Sequence, residues 1–389
     1  MPETLSGPGG RPLRVAHLTT VDMSLALLLG TELRVDVERG FETFGISAAG
    51  PYVDQVIALG VTHVPVPSLT RSWDLRRDGQ AARELLGVIR ALRLDVLHTH
   101  NPKTGVLGRL LGRLASVPVV VNTCHGLWAG RGDGLAKRAF VLTAETVAAQ
   151  ASHAELYQNA EDRRTLRRAV PGRRAKVVGN GVDLGRFAPD PEAGAELRRE
   201  LGVAPDELLV GGVGRRVAEK GIREFAAAAR RLAGKARFAW VGPVDDDKAD
   251  ALSDDLSADL GGVLFLGERR DMPAVYSALD VFVLASYREG FSRSAMEAAA
   301  CGTAMVLTDI RGCREVGSDE EHLLLVAPRD DVALADAISR LLVDEGLRAR
   351  LGRAARERAL ALFDQRAIAH LSVSTYAAVA RRRRLGWTT

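Results

Sequence analysis

The stretch NGVDLGRFAPDPEAGAE, residues 180–196, decides the fold because it divides the chain into two sets of predicted strands. Glycine, proline and aspartate cluster in this stretch, which is typical of a boundary between two domains. Short apolar runs alternate with amphipathic segments on both sides of it, and such alternation predicts parallel strands joined by helices. The runs are almost continuously apolar, which indicates sheets covered by helices on both faces.

Seven strands are predicted before this boundary and six after it. The first set comprises residues 13–19, 41–48, 61–67, 94–100, 117–123, 153–158 and 175–180, and the second comprises residues 207–214, 236–243, 261–267, 279–286, 303–309 and 322–328. Strand–helix alternation can also close into one eight-stranded barrel, but thirteen strands and a mid-chain boundary argue against that alternative. We therefore expect an α/β fold of two doubly wound parallel-sheet (Rossmann-like) domains facing across a cleft. They should cover residues 1–185 and 186–363, with 364–389 forming a bridging helix and basic tail.

The composition predicts a soluble globular enzyme. Of 389 residues, 47% are hydrophobic and 26% are charged, which excludes a disordered or collagen-like chain. The formal net charge of +4 is too small to predict a nucleic-acid partner, although residues 381–384 form a basic cluster. Three cysteines without metal-ligand spacing predict neither disulfides nor zinc, which fits a cytoplasmic protein.

The N-terminus lacks a signal-peptide pattern, and no apolar run reaches the roughly 18 residues that span a bilayer. We expect any membrane contact to be peripheral, on the inner face of the plasma membrane.

The loop GGVGRRVAEKG, residues 211–221, follows a predicted strand and precedes a helix. Its glycines let backbone N–H groups approach an anion, and the helix adds its positive N-terminal end. Arg215 and Lys220 can then converge on a diphosphate without a metal ion. Ile222 and Val217 break the Walker and dinucleotide-binding patterns, so neither of those classes is supported. The alternative is a glycine turn with two solvated basic residues.

The stretch YREGFSRSAMEAAACG, residues 287–302, places Glu289 and Glu297 eight residues apart. Ser294 and Glu297 fit a capping box, with Ser294 as the helix N-cap and Glu297 at the third helical position. The same helix start presents N–H groups to a ligand, and residues 290–292 let the backbone run close to a bound group. Glu289 stands at a strand end without a capping role, so it is a candidate functional carboxylate.

These motifs resemble those of retaining glycosyltransferases of family 4, which have the two-domain GT-B fold. Glu289 and Glu297 match the E-x7-E signature, and Arg215 and Lys220 match the R-x4-K pair. Three further stretches match family wording in the first half of the chain: HTHNPKTGVLGR (98–109), NTCHG (122–126) and NGVDLGRF (180–187). The resemblance covers nearly the whole chain, and its motifs stand in the family's order.

The resemblance implies a role for each matching residue. Its catalytic residues would be Glu289, Arg215, Lys220 and His125, where the two cations neutralise the leaving diphosphate and His125 touches the donor sugar. Glu297 would bind the ribose hydroxyls of the nucleotide. The donor-binding residues would be Gly214, Gly267, Gly290, Phe291, Ser292, Ser294 and Glu297. For His125, a core histidine is the alternative interpretation.

Fewer residues match the family pattern where the acceptor would bind. The first predicted strand is followed by TTVDMSLALLL, without the glycine pair that many family members have there, so contacts at Ser24 stay open. His100 and Lys103 stand at the end of another strand, where Lys103 could meet an acidic acceptor. A structural role is the equal alternative for both residues.

The implied reaction is transfer of a sugar, from a UDP-hexose or UDP-N-acetylhexosamine donor, to an acceptor hydroxyl. Fixed cations at the diphosphate stabilise the negative charge that grows as the bond to the sugar breaks. The nucleotide sugar is then a co-substrate, and neither a cofactor nor a metal ion is expected. The acceptor would be lipid-linked, in cell-surface polysaccharide or glycan assembly, or a small molecule of the aminoglycoside type in natural-product synthesis. More remote alternatives are a sugar-nucleotide 2-epimerase and a non-catalytic membrane-surface protein.

Overall fold

A computed structural model of the chain describes residues 5–70, 72, 74–130, 133–245 and 260–388. The chain divides into two compact units. The first unit comprises Met1–Gly179 together with Gln365–Thr389, and the second comprises Asn180–Asp364. Each unit contains one parallel sheet, so the predicted α/β fold of two sheets is confirmed and the single barrel is excluded.

The first unit is built on a seven-stranded sheet in the order β3-β2-β1-β4-β5-β6-β7, with every neighbouring pair parallel. The strands are β1 (Arg14–Val21), β2 (Glu42–Ala48), β3 (Thr62–Pro65), β4 (Val96–Thr99), β5 (Val119–Cys124), β6 (Ala154–Tyr157) and β7 (Ala175–Val177). The order in which successive strands are placed reverses between β1 and β4: β2 and β3 lie on one side of β1, and β4 to β7 lie on the other. Ligands of open α/β sheets bind beyond the carboxyl ends of the strands at such a point.

Helices cover both faces of this sheet. They are α1 (Gly30–Glu38), α2 (Val53–Ile57), α3 (Leu75–Leu92), α4 (Pro102–Leu114), α5 (Leu135–Ala151), α6 (Ala160–Thr165) and, from the end of the chain, α14 (Gln365–Arg383). A single turn of π-helix, Ser24–Leu28, follows β1. Helix α14 belongs to the first unit because Val373, Tyr376 and Val379 are buried in the same core cluster as β1, β4 and β5 residues.

The second unit is built on a six-stranded sheet in the order β10-β9-β8-β11-β12-β13. Its strands are β8 (Leu209–Val213), β9 (Arg237–Val241), β10 (Val263–Phe265), β11 (Val281–Leu284), β12 (Ala304–Thr308) and β13 (Leu324–Val326). Its helices are α7 (Pro191–Glu200), α8 (Ile222–Arg231), α9 (Met272–Ala278), α10 (Arg293–Ala300), α11 (Arg311–Arg314), α12 (Asp331–Val343) and α13 (Glu345–Leu362). The order reverses between β8 and β11, which brings the loops after these two strands side by side.

All thirteen predicted strands are present, each within two or three residues of its predicted bounds. The central strands are buried along their length, as β11 shows, which is why their sequences are apolar without alternation. Among the described residues, no helix has both the length and the apolar character needed to cross a membrane.

Candidate active site

The glycine loop after β8 lies flat against the ends of the neighbouring strands. The Gly214 N–H donates to the Val241 carbonyl (2.9 Å), and the Trp240 indole donates to the Gly214 carbonyl (2.8 Å). Gly242 has a φ of +142°, and a Cβ there would lie 2.1 Å from the Gly214 oxygen. The two chain segments therefore approach more closely than any side chain at Gly242 would allow.

A short 3₁₀ turn, Ala218–Lys220, leads from this loop into α8. Gly221 has a φ of +70°, and a Cβ there would lie 2.0 Å from the Ala285 carbonyl at the end of β11. The Tyr287 N–H donates to the Glu219 carbonyl (2.9 Å). These contacts hold the loop after β8 against the loop after β11, which carries the E-x7-E signature.

The ion pair between Lys220 and Glu289 joins the two motifs. Lys220 Nζ donates to Glu289 Oε1 at 2.6 Å, and the two side chains are 21% and 13% exposed. The sequence pattern indicated no structural partner for Glu289, but in the fold Lys220 is its partner. The pair is only partly screened from water, so both groups remain accessible to a ligand.

Arg215 also has a carboxylate partner, because its guanidinium forms an ion pair with Asp245. The arginine side chain is 45% exposed, so the pair lies at the surface of the second unit. Sequence reasoning missed Asp245, although it stands just after β9 at the start of an acidic run. Each predicted diphosphate-binding cation is thus already neutralised by one carboxylate, and a bound diphosphate would compete with that carboxylate.

Helix α10 begins two residues earlier than the sequence suggested. Its N-cap is Ser292, whose side chain accepts from the Ala295 N–H (3.4 Å). The prediction of Ser294 as N-cap and Glu297 at the third helical position is wrong: they are the second and fifth helical residues. The cause is tertiary, because Phe291 is buried edge-on against Phe363 (ring centroids 5.5 Å apart) and fixes the chain just before the helix.

Glu297 is held by two side chains rather than by the helix end. Its Oε2 accepts from the Tyr276 hydroxyl (2.8 Å) and its Oε1 from Arg293 Nε (3.2 Å). Burial raises the pKa of Glu297 above the ordinary glutamate value. Tyr276, a further residue that the sequence did not single out, therefore orients this carboxylate.

The remaining predicted donor-binding residues lie at the same edge of the second sheet. Gly267 follows β10 with a φ of +65°, has open space around its Cα, and accepts from the Gly242 N–H (2.7 Å). Gly290 precedes the buried Phe291, and the Ser294 hydroxyl lies 3.3 Å from that of Ser292. The loops after β8 and β11 thus meet at the switch point of the second sheet, and the loop after β10 is joined to the loop after β9 through Gly267 and Gly242.

In the first unit, a cavity of about 240 Å³ lies at the carboxyl ends of β1 and β4. It is lined by Thr20, Val21, Ser24, Asn101, Pro102, Lys103 and Trp128. Two of the three predicted acceptor residues, Ser24 and Lys103, therefore share one cavity, whereas His100 does not line it. Asn101 is a non-glycine residue with a φ of +62° and a ψ of 155°, and its side chain accepts from the Thr20 N–H (3.3 Å). Such strained residues concentrate at ligand sites.

Lys103 is buried, with 4% of its side chain exposed. Its ammonium group pairs with Asp78 and donates to the carbonyls of Thr70 (3.0 Å) and Ser72 (2.6 Å). These contacts tie the segment before α3 to the start of α4. The arrangement favours the structural alternative for Lys103, since an anionic acceptor would have to displace Asp78.

His125 lies in the loop after β5, at the same edge of the first sheet. Its Nε2 is 2.9 Å from Nδ1 of His100, which is fully buried. Burial lowers the pKa of His125 to about 4, and it also lowers the pKa of His100 well below 6.5. Both imidazoles are therefore neutral near pH 7. His100 contacts His125 rather than solvent, so it cannot meet an acceptor directly.

Arg109, the last residue of the matching stretch 98–109, has a structural role. It is fully buried and pairs with Glu145 (2.5 Å) and Glu155 (3.0 Å), and Glu155 also accepts from Asn122 (2.8 Å). This network links α4, α5, β5 and β6 beneath the candidate site.

His17, His98 and His100 are the one group of side chains, among the described residues, close enough to hold a metal ion together. Each ring nitrogen already has a side-chain partner. His17 contacts Asp36 and His100, His98 contacts Tyr376 and Thr123, and His100 contacts His17 and His125. A metal ion would have to replace one of these hydrogen bonds at every ring, so the arrangement favours a hydrogen-bonded network over metal ligation.

Family models of glycosyltransferase domains match both halves of the chain. A family model described as Glycosyl transferase 4-like domain matches residues 30–181, and one described as Glycosyl transferases group 1 matches residues 207–344. The D-inositol 3-phosphate glycosyltransferase of Xylanimonas cellulosilytica is 32% identical over 97% of this chain and 95% of its own length. The UDP-Gal:alpha-D-GlcNAc-diphosphoundecaprenol alpha-1,3-galactosyltransferase of Escherichia coli is 30% identical over 72% of this chain and 75% of its own length.

Among solved structures, Anabaena HepE in complex with UDP matches with a TM-score of 0.81 at 21% identity, covering 94% of this chain and 100% of that chain. Sucrose-phosphate synthase from Thermosynechococcus elongatus matches with a TM-score of 0.79 at 22% identity, covering 95% and 100%. At these identities the likeness shows the fold.

Proposed function

Because the chain belongs to glycosyltransferase family 4, we propose that it transfers a sugar, with retention of configuration, from a UDP-sugar to a hydroxyl of a lipid-linked glycan. The observation that carries this proposal is the Lys220–Glu289 ion pair at the switch point of the second sheet. It brings the two sequence motifs of a nucleotide-sugar site to one place, next to the N-terminus of α10.

The chemical roles follow from the types of side chain. Lys220 and Arg215 exchange their carboxylate partners for the diphosphate, and their charge stabilises the leaving group most when its bond to the sugar breaks. A diphosphate leaves as an anion without an added proton, so no acid like that of a glycosidase is needed. Glu289, freed from Lys220, orients the donor sugar, Glu297 accepts from the ribose hydroxyls, and His125 contacts the sugar. This reaction assigns no step to a metal ion.

The proposed donor class rests on the relatives. The similar Escherichia coli enzyme is named for UDP-galactose, and the similar Anabaena structure contains UDP. We therefore favour a UDP-hexose or UDP-N-acetylhexosamine.

Two classes of acceptor are candidates, and the names of the relatives include a phosphate group for each class. Two relatives act on sugars linked to diphosphoundecaprenol, which supports a lipid-linked acceptor. The Xylanimonas relative, which aligns over 97% of this chain, is named for D-inositol 3-phosphate, and this name supports a small phosphorylated acceptor as the second candidate. Natural-product transfer has no comparable support.

A lipid-linked acceptor requires the enzyme to approach a membrane, and a basic groove in the first unit supports this. The groove has a volume of about 630 Å³, and its basic residues are Arg173, Arg174, Lys176, Arg381 and Arg382. None of these five forms an ion pair with a carboxylate in the described part of the chain. Leu385 and Trp387 pack against the core of the first unit instead of projecting outward. The proposed contact is therefore electrostatic, worth about 1 kcal/mol per basic residue near an anionic surface.

The catalytic proposal is tested by a panel of sugar nucleotides in a thermal-shift assay, followed by mass spectrometry of products formed with each acceptor candidate. We expect UDP and one UDP-sugar to stabilise the protein, and the product mass to show addition of one sugar residue. Glu289→Ala, Arg215→Ala and Lys220→Ala should each cost far more activity than stability. Near-normal transfer by all three variants would overturn the assignment. Transfer to inositol 3-phosphate, with none to a GlcNAc-diphosphate lipid, would select the second acceptor.

The membrane contact is tested by sedimentation with vesicles of phosphatidylglycerol or of phosphatidylcholine. We expect binding to the anionic vesicles alone, weakened by salt and by the double change Arg381→Gln/Arg382→Gln. The matched control is Arg199→Gln/Arg223→Gln, which removes two exposed arginines from the second unit. Equal binding by both double variants would contradict the proposed surface.

A further inference from the structure

A chain of hydrogen-bonded side chains leads from the interior of the first unit to His125. Asp36 Oδ2 lies 2.8 Å from His17 Nε2, His17 Nδ1 lies 3.1 Å from His100 Nε2, and His100 Nδ1 lies 2.9 Å from His125 Nε2. Asp36, His17 and His100 are each fully buried. The chain of side chains ends at His125 Nδ1, which is itself buried and has no partner at close hydrogen-bond geometry in the described part of the chain, while the Gln158 side chain interacts with the ring.

The fold explains how the four groups come into line. His17 lies on β1, and His100 directly follows β4, whose His98 pairs in register with His17. Helix α1 covers this part of the sheet and supplies Asp36. His125 directly follows β5, the next strand beyond β4.

The hydrogen bonds permit two arrangements of protons. In the first, each N–H points toward the interior: His125 Nε2–H donates to His100, His100 Nε2–H donates to His17, and His17 Nε2–H donates to ionised Asp36. His125 Nδ1 is then a hydrogen-bond acceptor. In the second, a proton delivered to the buried His125 Nδ1 binds there, the His125 Nε2 proton passes to His100 Nδ1, and the His100 Nε2 proton passes to His17 Nδ1. One proton has entered, His125 and His100 are again neutral, and the positive charge lies on His17 beside Asp36.

We propose that Asp36, His17 and His100 are positioning residues that hold the His125 ring and, by binding one proton at the buried end, convert His125 Nδ1 from an acceptor to a donor. The effect on catalysis rests on the proposed role of His125 in sugar transfer, whereas the coupling of protons along the chain does not.

The surroundings favour storing the charge at the inner end. Burial opposes a charge on His17, but its hydrogen bond to Asp36 and the nearby charges of Asp36 and Glu32 outweigh burial and raise its pKa. Asp36 Oδ1 has no hydrogen-bond partner among the described residues, so a cation beside this carboxylate relieves a buried, incompletely solvated charge. The other titratable or charged groups facing this end are Glu32 and Arg39 of α1, His98 of β4 and Tyr376 of α14.

The coupling is tested on the full-length wild-type protein by ¹⁵N NMR of labelled histidine side chains across a pH titration. We expect His17, His100 and His125 to change together at one midpoint above 6.5, with His125 Nδ1 gaining its hydrogen there. Independent titration, with His125 changing near its own value of about 4 while His17 changes elsewhere, would overturn the proposal. This measurement needs no substrate, so its outcome is separate from that of the glycosyl-transfer assay.

The positioning role is tested by Asp36→Asn, which keeps the shape of the side chain and removes its charge. We expect the shared midpoint to fall to lower pH and kcat near pH 7 to drop about tenfold or more, as when the partner orienting a histidine is lost. UDP affinity, measured by calorimetry, should stay within about twofold, because UDP binding is assigned to the second unit. The control is Glu38→Gln, which changes an exposed acid of the same helix paired with Arg366. Unchanged kcat and an unchanged titration in folded Asp36→Asn would refute the role, and if that variant does not fold, the wild-type titration still decides.

Discussion

Replacing Lys220 by methionine removes one positive charge from the candidate diphosphate site and keeps most of the aliphatic side chain. Two unit charges 4 Å apart attract by about 4 kcal/mol at an effective dielectric constant near 20. The ammonium group already contacts Glu289 at 2.6 Å, so binding of a diphosphate exchanges one anionic partner for another. We take about half of the attraction, roughly 2 kcal/mol, as the net loss, which corresponds to about a 30-fold weaker interaction with UDP.

The loss in turnover should be larger than the loss in UDP affinity. Negative charge on the diphosphate grows as its bond to the sugar breaks, so Lys220 contributes more in the transition state than in the complex with the donor. We therefore expect kcat/KM to fall about 100-fold, close to 3 kcal/mol. The stability cost should be about 1–3 kcal/mol, between the values for surface and buried pairs, because only 21% and 13% of the two side chains are exposed.

The assay is calorimetry with UDP, steady-state kinetics with the best donor of the panel, and thermal unfolding. Lys235→Met is the matched control, since Lys235 is an exposed lysine of the same unit beyond α8. It should leave all three measurements unchanged. If Lys220→Met binds UDP and turns over within about threefold of wild type, the ion pair is structural and the electrostatic reasoning is refuted.

Further predictions concern single side chains of both units. Asp245→Asn releases Arg215 from an exposed ion pair, so UDP should bind more tightly, by no more than about fivefold in calorimetry; weaker binding would contradict the competition between Asp245 and the diphosphate. Because burial raises the pKa of Glu297, and because the ionised form accepts from ribose, UDP affinity should fall with decreasing pH at a midpoint above 4.5. Glu297→Gln should abolish this dependence. Arg109→Met leaves two buried carboxylates without their cation and should lower the free energy of unfolding by about 3–5 kcal/mol in a denaturant titration, whereas the exposed Arg113→Met should cost about 0.5 kcal/mol or less.

The strands were predictable because a parallel strand covered on both faces needs apolar residues at every position. That pattern can be recognised in the sequence of one strand without knowing which strands lie beside it. The partners of each strand were not predictable in this way. Lys220 and Glu289 are 69 positions apart. They meet because the strands that precede them, β8 and β11, are neighbours in the sheet although β9 and β10 lie between them in sequence. Motif resemblance implied that both bind the donor, but their ion pair follows from the strand order.

The start of α10 shows the limit of local signals. The S-x-x-E spacing of Ser294 and Glu297 is a good capping box in isolation, yet the aromatic contact of Phe291 with Phe363 moves the cap to Ser292. Packing of a buried ring outweighs a cap that contributes about 1 kcal/mol. The partners of His100 and Lys103 were likewise not foreseeable, because His17 reaches His100 through the pairing of β1 with β4, and Asp78 reaches Lys103 through the placement of α3.

The predicted site residues of the two units differ in charge, in a way that suits the proposed reaction. Those of the second unit include the cations Arg215 and Lys220, which suit a leaving diphosphate that gains negative charge. The sugar ring gains positive charge at the same time, so a cationic imidazole beside it would oppose the reaction by about 4 kcal/mol at 4 Å and an effective dielectric near 20. His125 avoids this because burial lowers its pKa to about 4 and because a proton taken up by the chain leaves its charge on His17, next to Asp36. A buried carboxylate several side chains away thus lets His125 offer either a lone pair or an N–H to a sugar hydroxyl while it remains neutral in both states.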